Sequence, residues 1–250
     1  CQDFLTRDPK LSQSTEITLS TYDGLNDATF GAYSALASTS WYGQQWIVDA
    51  EMRSGNGKKS DFKNSGRCVT PYIWNYTETS TSPMWSVCYQ VVSRANNVID
   101  NLEGKESSTV TTQDLNNLKA ECLFIRAFSY FCNVLTYGQP YTYCVKSDKE
   151  SLGVPYVEHT DPAGLPARET VISNYEKIVR DLLEAESLID PEYTRATVAD
   201  PAAVVSVYAI QALLSRVYLY MGEWQKAADY ATKVIGSEKF SLWTAEQYKT

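Results

Sequence analysis

Beyond residue 83 most of the chain carries apolar residues recurring every three to four positions, and that period specifies amphipathic helix. Trp85, Cys88, Val92, Ala95, Ile99 and Leu102 form one such stripe behind Ser82-Pro83, a cap followed by a first-turn proline. Leu115, Leu118, Cys122, Ile125, Phe128 and Cys132 form the next, opened by Thr111-x-x-Asp114 as a capping box and stopped at Tyr137-Gly138. A third runs from Thr170 to Asp190-Pro191 through Val171, Tyr175, Ile178, Leu182, Ala185 and Ile189. Asp200-Pro201 is expected to open a fourth helix that ends at Gly222, with Trp224 to Ile235 as its short partner before Gly236. An earlier helix follows Ser20-Thr21, with Tyr22, Leu25, Ala28, Ala32, Tyr33 and Leu36 on one face. Few segments read as strand, so the expected fold is mostly α.

The helices pair. Ala209 to Gly222, then Trp224-x-x-Ala227 and Ala231, reads as a tetratricopeptide-like hairpin whose alanines let two antiparallel helices approach closely. Arg126-Ala-Phe-x-Tyr130 and Arg216-Val-Tyr-x-Tyr220 echo one another in separate helices. Both arginines sit in buried-looking helices and are expected to be paired, with Glu121 a candidate partner for one of them. A hairpin of this kind buries its face only by stacking on neighbours. The repeats are therefore scaffold, and function is expected in the loops.

Two stretches break the helical period. Gln139 to Arg168 is a proline-rich connection. Residues 38–82 are long, irregular and ring-rich, with Trp41, Tyr42, Trp46, Tyr72, Trp74 and Tyr76 among Gly55, Gly57, Gly66 and Pro71. A loop of that length is functional or carries short strands of its own. Asn64, Arg67, Tyr72, Trp74, Asn75 and Tyr76 bring together rings and polar side chains. That is the chemistry that grips a sugar: a ring under its apolar C–H face, and amide or guanidinium groups on its hydroxyl rim. The plainer reading has Tyr72 and Trp74 packing the loop onto the helices.

Composition removes several functions. A net charge of −8 and a pI near 4.8 offer nothing to the phosphates of nucleic acid or to an anionic lipid surface. No apolar run approaches the roughly 18–20 residues that span a bilayer. His159 is the single histidine, which excludes His-pair zinc motifs and reads as a surface loop residue beside Asp161-Pro162. Gly55-Asn-Gly57-Lys58-Lys59-Ser60 lacks the glycine spacing and preceding strand of a phosphate loop and reads as a basic turn. No carboxylate spacing points to a glycosidase pair. Cys1 aside, an odd set of five cysteines remains (Cys68, Cys88, Cys122, Cys132 and Cys144), without C-x-x-C spacing, so neither a disulfide framework nor a zinc site is expected. A chain beginning at Cys1 is also what a bacterial lipoprotein looks like after its signal peptide is removed. No cofactor, metal or catalytic group is expected.

Four stretches together resemble the SusD/RagB family of outer-membrane nutrient-binding lipoproteins. They are Cys1-Gln-Asp-Phe4-Leu5; Trp85-x-x-Cys-Tyr89 running into Ala95-Asn-Asn-Val-Ile-Asp100; Ala120-Glu-Cys-Leu-Phe-Ile-Arg-Ala-Phe128 through Tyr137-Gly138; and Gly153-Val-Pro155, Pro166-Ala-Arg168-x-Thr-Val171, Tyr175-x-x-Ile178 and Asp181-Leu-x-x-Ala185 ahead of the Ala212-to-Trp224 element. Gly138-Gln-Pro140 is one residue shorter than the family's usual turn. The resemblance implies a tetratricopeptide scaffold within one lobe: residues 1–20 as tether and extended segment, 38–82 as ligand-loop region, and 83–250 as helical repeats. It implies a lipid anchor at Cys1 on the outer-membrane cell surface, an oligosaccharide ligand, and a TonB-dependent, SusC-like transporter as partner, with no bond made or broken. Ligand contacts from the loop before the Trp85 helix follow from it too, leaving Trp41, Tyr42 and Trp46 to the core or to a transporter-facing surface. Members of the family are longer than this chain, which implies a further C-terminal portion. Peptide capture, as in some relatives, and protein–protein adaptation are the alternatives.

Overall fold

The computed structural model describes residues 18–60, 66–77, 80, 82–147, 151–161, 163–195, 198 and 203–249. Among them the chain is helical, and the β pairing is an isolated antiparallel bridge between Leu152 and Thr170. Two compact units emerge: one from the residues up to Lys105 together with Val157–Pro162, the other from Glu106–Tyr156 and Ala163 onward.

In the first unit α1 (Tyr22–Leu36) packs along α4 (Pro83–Ile99), and α2 (Gln45–Ser54) packs on the five-residue α3 (Val69–Ile73). Thr21 caps α1 and Ser82 caps α4, with Pro83 at the start of the latter as its spacing predicts. Leu25, Thr29 and Ala32 meet Cys88, Val91, Val92 and Ala95 in the core, and the Thr29 hydroxyl is satisfied by the Leu25 carbonyl at 2.9 Å. Arg94 fastens the two helices by donating to the Gly31 carbonyl at 2.7 Å. The segment from Val157 is held at the far end of α4, where Asn96 donates to the Val157 carbonyl at 3.0 Å and the Asp100 carboxylate accepts the Thr160 N–H at 3.0 Å. His159 lies on the surface, its Nδ1 2.8 Å from the same carboxylate.

The second unit is built on α5 (Thr112–Tyr137), a helix so enclosed that seventeen of its residues are buried. Its start is the capping box the sequence announces: Thr111 Oγ1 accepts the Asp114 N–H at 3.1 Å, and Asp114 accepts the Thr111 N–H at 2.8 Å. A short α6 (Tyr141–Ser147) follows, then α7 (Val171–Leu188) against α5, and the α8–α9 hairpin (Val207–Met221 and Trp224–Gly236). Gly222 closes α8 in the left-handed region at φ 78°, as a C-terminal stop requires. The crossing is close because Ala227 is buried and the Ser215 hydroxyl reaches its carbonyl at 2.8 Å. Two expectations shift here. The proline-rich connection carries a helix, α6. The first helix of the last hairpin is capped by Ser206, whose side chain accepts the Ala209 N–H; the expected Asp200-Pro201 start lies outside the described residues. Cys68, Cys88, Cys122, Cys132 and Cys144 are all thiols, four of them buried as small apolar groups.

A helix buried on every side must find partners for each polar group it carries. Arg126 of α5 donates to Asp181 of α7 at 2.6 Å, and the Tyr156 hydroxyl donates to the same carboxylate oxygen at 2.7 Å. Burial pushes the Tyr156 phenol far above its ordinary value, and the Asp181 charge adds to the effect, so it stays a donor. Arg180 donates to the other Asp181 oxygen at 2.8 Å, so removing Arg126 would take one of two cations from a buried carboxylate, at a cost of about 1.5–3 kcal/mol. Glu121 is fully buried as well, but its partner is Arg195, whose Nε lies 3.0 and 3.1 Å from the two oxygens. Arg216, expected to be internal, is exposed because it faces away from the hairpin crossing.

The motif glycine and arginine have equally specific tasks. Asn174 of α7 holds the backbone of Val154 through both its amide atoms, at 2.7 and 2.9 Å. Its oxygen sits where a Cβ on Gly153 would be, so only glycine admits the clamp. Arg168 donates to the carbonyls of Gly153, Leu152 and Tyr137, which caps the last turn of α5.

Glu186 ties three helices: Gln211 of α8 and Tyr230 and Lys233 of α9 all donate to it at 3.0 Å. Burial alone would raise this carboxyl, and the donors outweigh it, so it titrates below its ordinary 4.5. A depressed carboxylate contributes stability above its unfolded value and loses it as pH falls through the folded one. Glu186→Gln is therefore expected to cost about 1 kcal/mol at pH 7, a fall of ~2–4 °C in melting temperature. The deficit should shrink toward zero as melts are repeated down to acid pH, and a deficit independent of pH contradicts the clip.

Candidate functional site

The segment expected to be irregular contains α2 and α3, formed locally and not as strands. Trp41 anchors its start: the indole is fully buried, and its carbonyl accepts the N–H of Trp46 at 3.0 Å. Trp41 is thus core. Tyr42 and Trp46 are half-buried and stack on one another with centroids 5.5 Å apart. Gly55 ends α2 with φ 84°, and the basic turn follows as read.

α3 is bracketed by two non-glycine residues in the left-handed region: Cys68 at φ 56°, ψ 19° and Trp74 at φ 56°, ψ 27°. An L-residue there costs roughly 1–2 kcal/mol, and bulky side chains are seldom found in it. Within α3, Pro71 is buried and fixes the helix inward. Everything after it turns outward: Ile73 is 51% exposed, Trp74 65% and Tyr76 46%, with Asn75 exposed between them. Strain that places an indole in water is not strain in the service of packing. Backbone strain of this kind gathers at sites that bind.

Of the residues singled out from the sequence, Trp74, Asn75 and Tyr76 form one exposed run, Tyr72 is half-buried beneath them, and Arg67 is exposed at the other end of α3. Asn64 and Cys1 lie outside the described residues. The reading in which Trp74 merely packs the loop is set aside by its exposure; for Tyr72, half-buried, packing remains part of its role.

Two contributors were missed. Ile73, the residue before Trp74, is itself 51% exposed and apolar. Arg53, in the last turn of α2, donates through Nε to the Tyr76 hydroxyl at 2.8 Å, with its guanidinium carbon 5.3 Å from the ring centroid. One turn earlier Asp49 is buried, and burial pushes its carboxyl up, opposed by a hydrogen bond from Gln45 and by the Arg53 charge. Gln45, Asp49 and Arg53 recur every four residues, a helical signal hidden by the surrounding glycines, serines and rings. Chemically the patch is a wet platform of rings with amide and guanidinium donors at its margin. Among the described residues no cluster of His, Cys, Asp and Glu capable of holding a metal occurs.

A family model described as "Starch-binding associating with outer membrane", of SusD-like type, matches residues 3–219. The chain belongs to the SusD-like family. This SusD-like chain is 27% identical to SusD-like protein P2 of Formosa agariphila over 97% of its own length and 45% of the relative's. It matches the crystal structure of a SusD superfamily protein from Bacteroides thetaiotaomicron at 31% identity and a TM-score of 0.76, covering 91% of this chain and 49% of that one. A structure titled as a laminarin-binding SusD-like protein shares the fold, with a TM-score of 0.66 at 20% identity, over 87% of this chain and 44% of that one. The SusD-like chain thus spans about half the length of the relatives it matches.

Because Trp74 pays strain without packing, glycine should tolerate its position better. Trp74→Gly is expected to leave stability unchanged or to raise it by up to ~1 kcal/mol, read from urea unfolding. A loss of more than about 2 kcal/mol would place the indole among core residues and remove the patch from consideration.

Proposed function

We propose that this SusD-like chain captures oligosaccharide at the bacterial surface and delivers it to a TonB-dependent transporter of the SusC type, tethered by lipid at Cys1 and making or breaking no bond. The observation that carries the reading is the strained, exposed Trp74 beside Asn75 and the exposed Tyr76. An indole face offers dispersion and C–H contacts to the apolar face of a sugar ring, while the amide of Asn75 and the guanidinium of Arg67 reach its hydroxyls. Hydroxyl recognition needs donors and acceptors, which the aromatic patch supplies through Asn75 and Arg67. The family description, starch-binding, gives the same ligand class. The laminarin-binding neighbour makes β-linked glucan one member of the panel to try.

The test is calorimetry on the protein against plant, host and microbial glycans, laminarin included, alongside peptide mixtures. One glycan class is expected to bind, and Trp74→Ala is expected to weaken it by about 1–3 kcal/mol, the scale of a stacked aromatic contact, with circular dichroism unchanged. Turnover of the glycan would make the protein an enzyme. Binding of peptides alone would move it to the peptide-importing branch, and binding of neither would leave it a protein–protein adaptor.

A further inference from the structure

Tyr76 has little to hold it. It lies beyond the end of α3, nearly half its surface is exposed, and a phenol ring there is free to swing about two side-chain bonds. Against that stands one face of α2. Gln45 donates to Asp49 Oδ1 at 2.7 Å; Asp49 is buried; Arg53, a turn further on, lies within the reach of its charge and donates to the Tyr76 hydroxyl at 2.8 Å. The guanidinium also lies against the ring, 5.3 Å from its centroid. The hydroxyl contact sets the ring's direction, and the cation beside the ring sets its tilt. Arg53 projects from the last turn of α2, a regular helix that fixes where its side chain starts.

From this we infer that Arg53 is a positioning residue: through its contacts with the hydroxyl and the ring it fixes Tyr76 as a second aromatic plane alongside Trp74, so that an incoming oligosaccharide meets a preformed surface. The inference rests on the glycan-capture reading for its purpose, though not for its geometry. Freezing a ring in advance spares the ligand that ordering cost when it binds.

The experiment uses wild type, Arg53→Met, Arg53→Lys, Tyr76→Phe and the Arg53→Met/Tyr76→Phe double variant. Met keeps the aliphatic stem and removes the donor; Lys restores a cation able to reach the hydroxyl; Phe keeps the ring and removes the acceptor. Ring-labelled tyrosine NMR without ligand reads the order of Tyr76, and calorimetry with laminarin, or whichever glycan the panel retains, reads affinity. Arg53→Met is expected to loosen the Tyr76 ring and Arg53→Lys to restore it. Arg53→Met and Tyr76→Phe should each weaken binding roughly threefold to tenfold, and the double variant should be no weaker than the worse of the two. Additive losses would mean that Arg53 grips the glycan directly, and an unchanged ring in Arg53→Met would mean it positions nothing; either result overturns the inference. If Trp74→Ala abolishes binding while the Arg53 variants leave both readouts untouched, glycan capture stands and the positioning role falls. If no glycan binds wild type yet the ring still loosens in Arg53→Met, positioning stands and glycan capture falls.

Discussion

A carboxylate with no access to water is the constraint around which the second unit is arranged. It is Asp181, fully enclosed between helices and tolerable because Arg126, Arg180 and the Tyr156 hydroxyl converge on it. With that charge answered, α5 can be surrounded by apolar neighbours along nearly its whole length, and α7 and the final hairpin can stack outward from it. Glu121 with Arg195, Asn174 with the Val154 backbone, and Arg168 with its three carbonyls solve smaller versions of the same problem. The family motifs thus place buried polar groups whose partners lie on neighbouring elements of the same unit.

In the first unit the buried carboxylate is Asp49. A turn further along α2, Arg53 donates to an exposed phenol two residues beyond an indole held in a backbone conformation that bulky residues avoid. One unit spends polar groups on closing a core; the other spends them on presenting rings to solvent. That contrast is the physical basis for assigning capture to the loop and support to the repeats.

The helices were legible because period and caps agree: Thr111 with Asp114, Ser82 with Pro83, and Gly222 are local signals that no tertiary contact overrides. What escaped reading was non-local. Arg195 sits in an irregular stretch with no pattern to mark it, and only the fold brings it to Glu121, seventy-four positions away. Arg216 has the same local sequence surroundings as Arg126 yet faces solvent, since a helix's outward face depends on which neighbours exist. In the ring-rich segment Trp74, Asn75 and Tyr76 are each exposed, as a ligand-facing run would require. The helix that organises them was hidden, because ten residues flanked by glycine and serine carry too short a period to stand out, and Arg53 was lost with it.

The division between silent frame and gripping loop is most directly tested by hydrogen exchange of the protein with and without a bound oligosaccharide. The account predicts slowed exchange confined to residues 66–77 and the end of α2, with α5 and α7 already slow and unaltered. Protection that appears instead along the helical repeats, with the Trp74 segment exchanging as before, would contradict it.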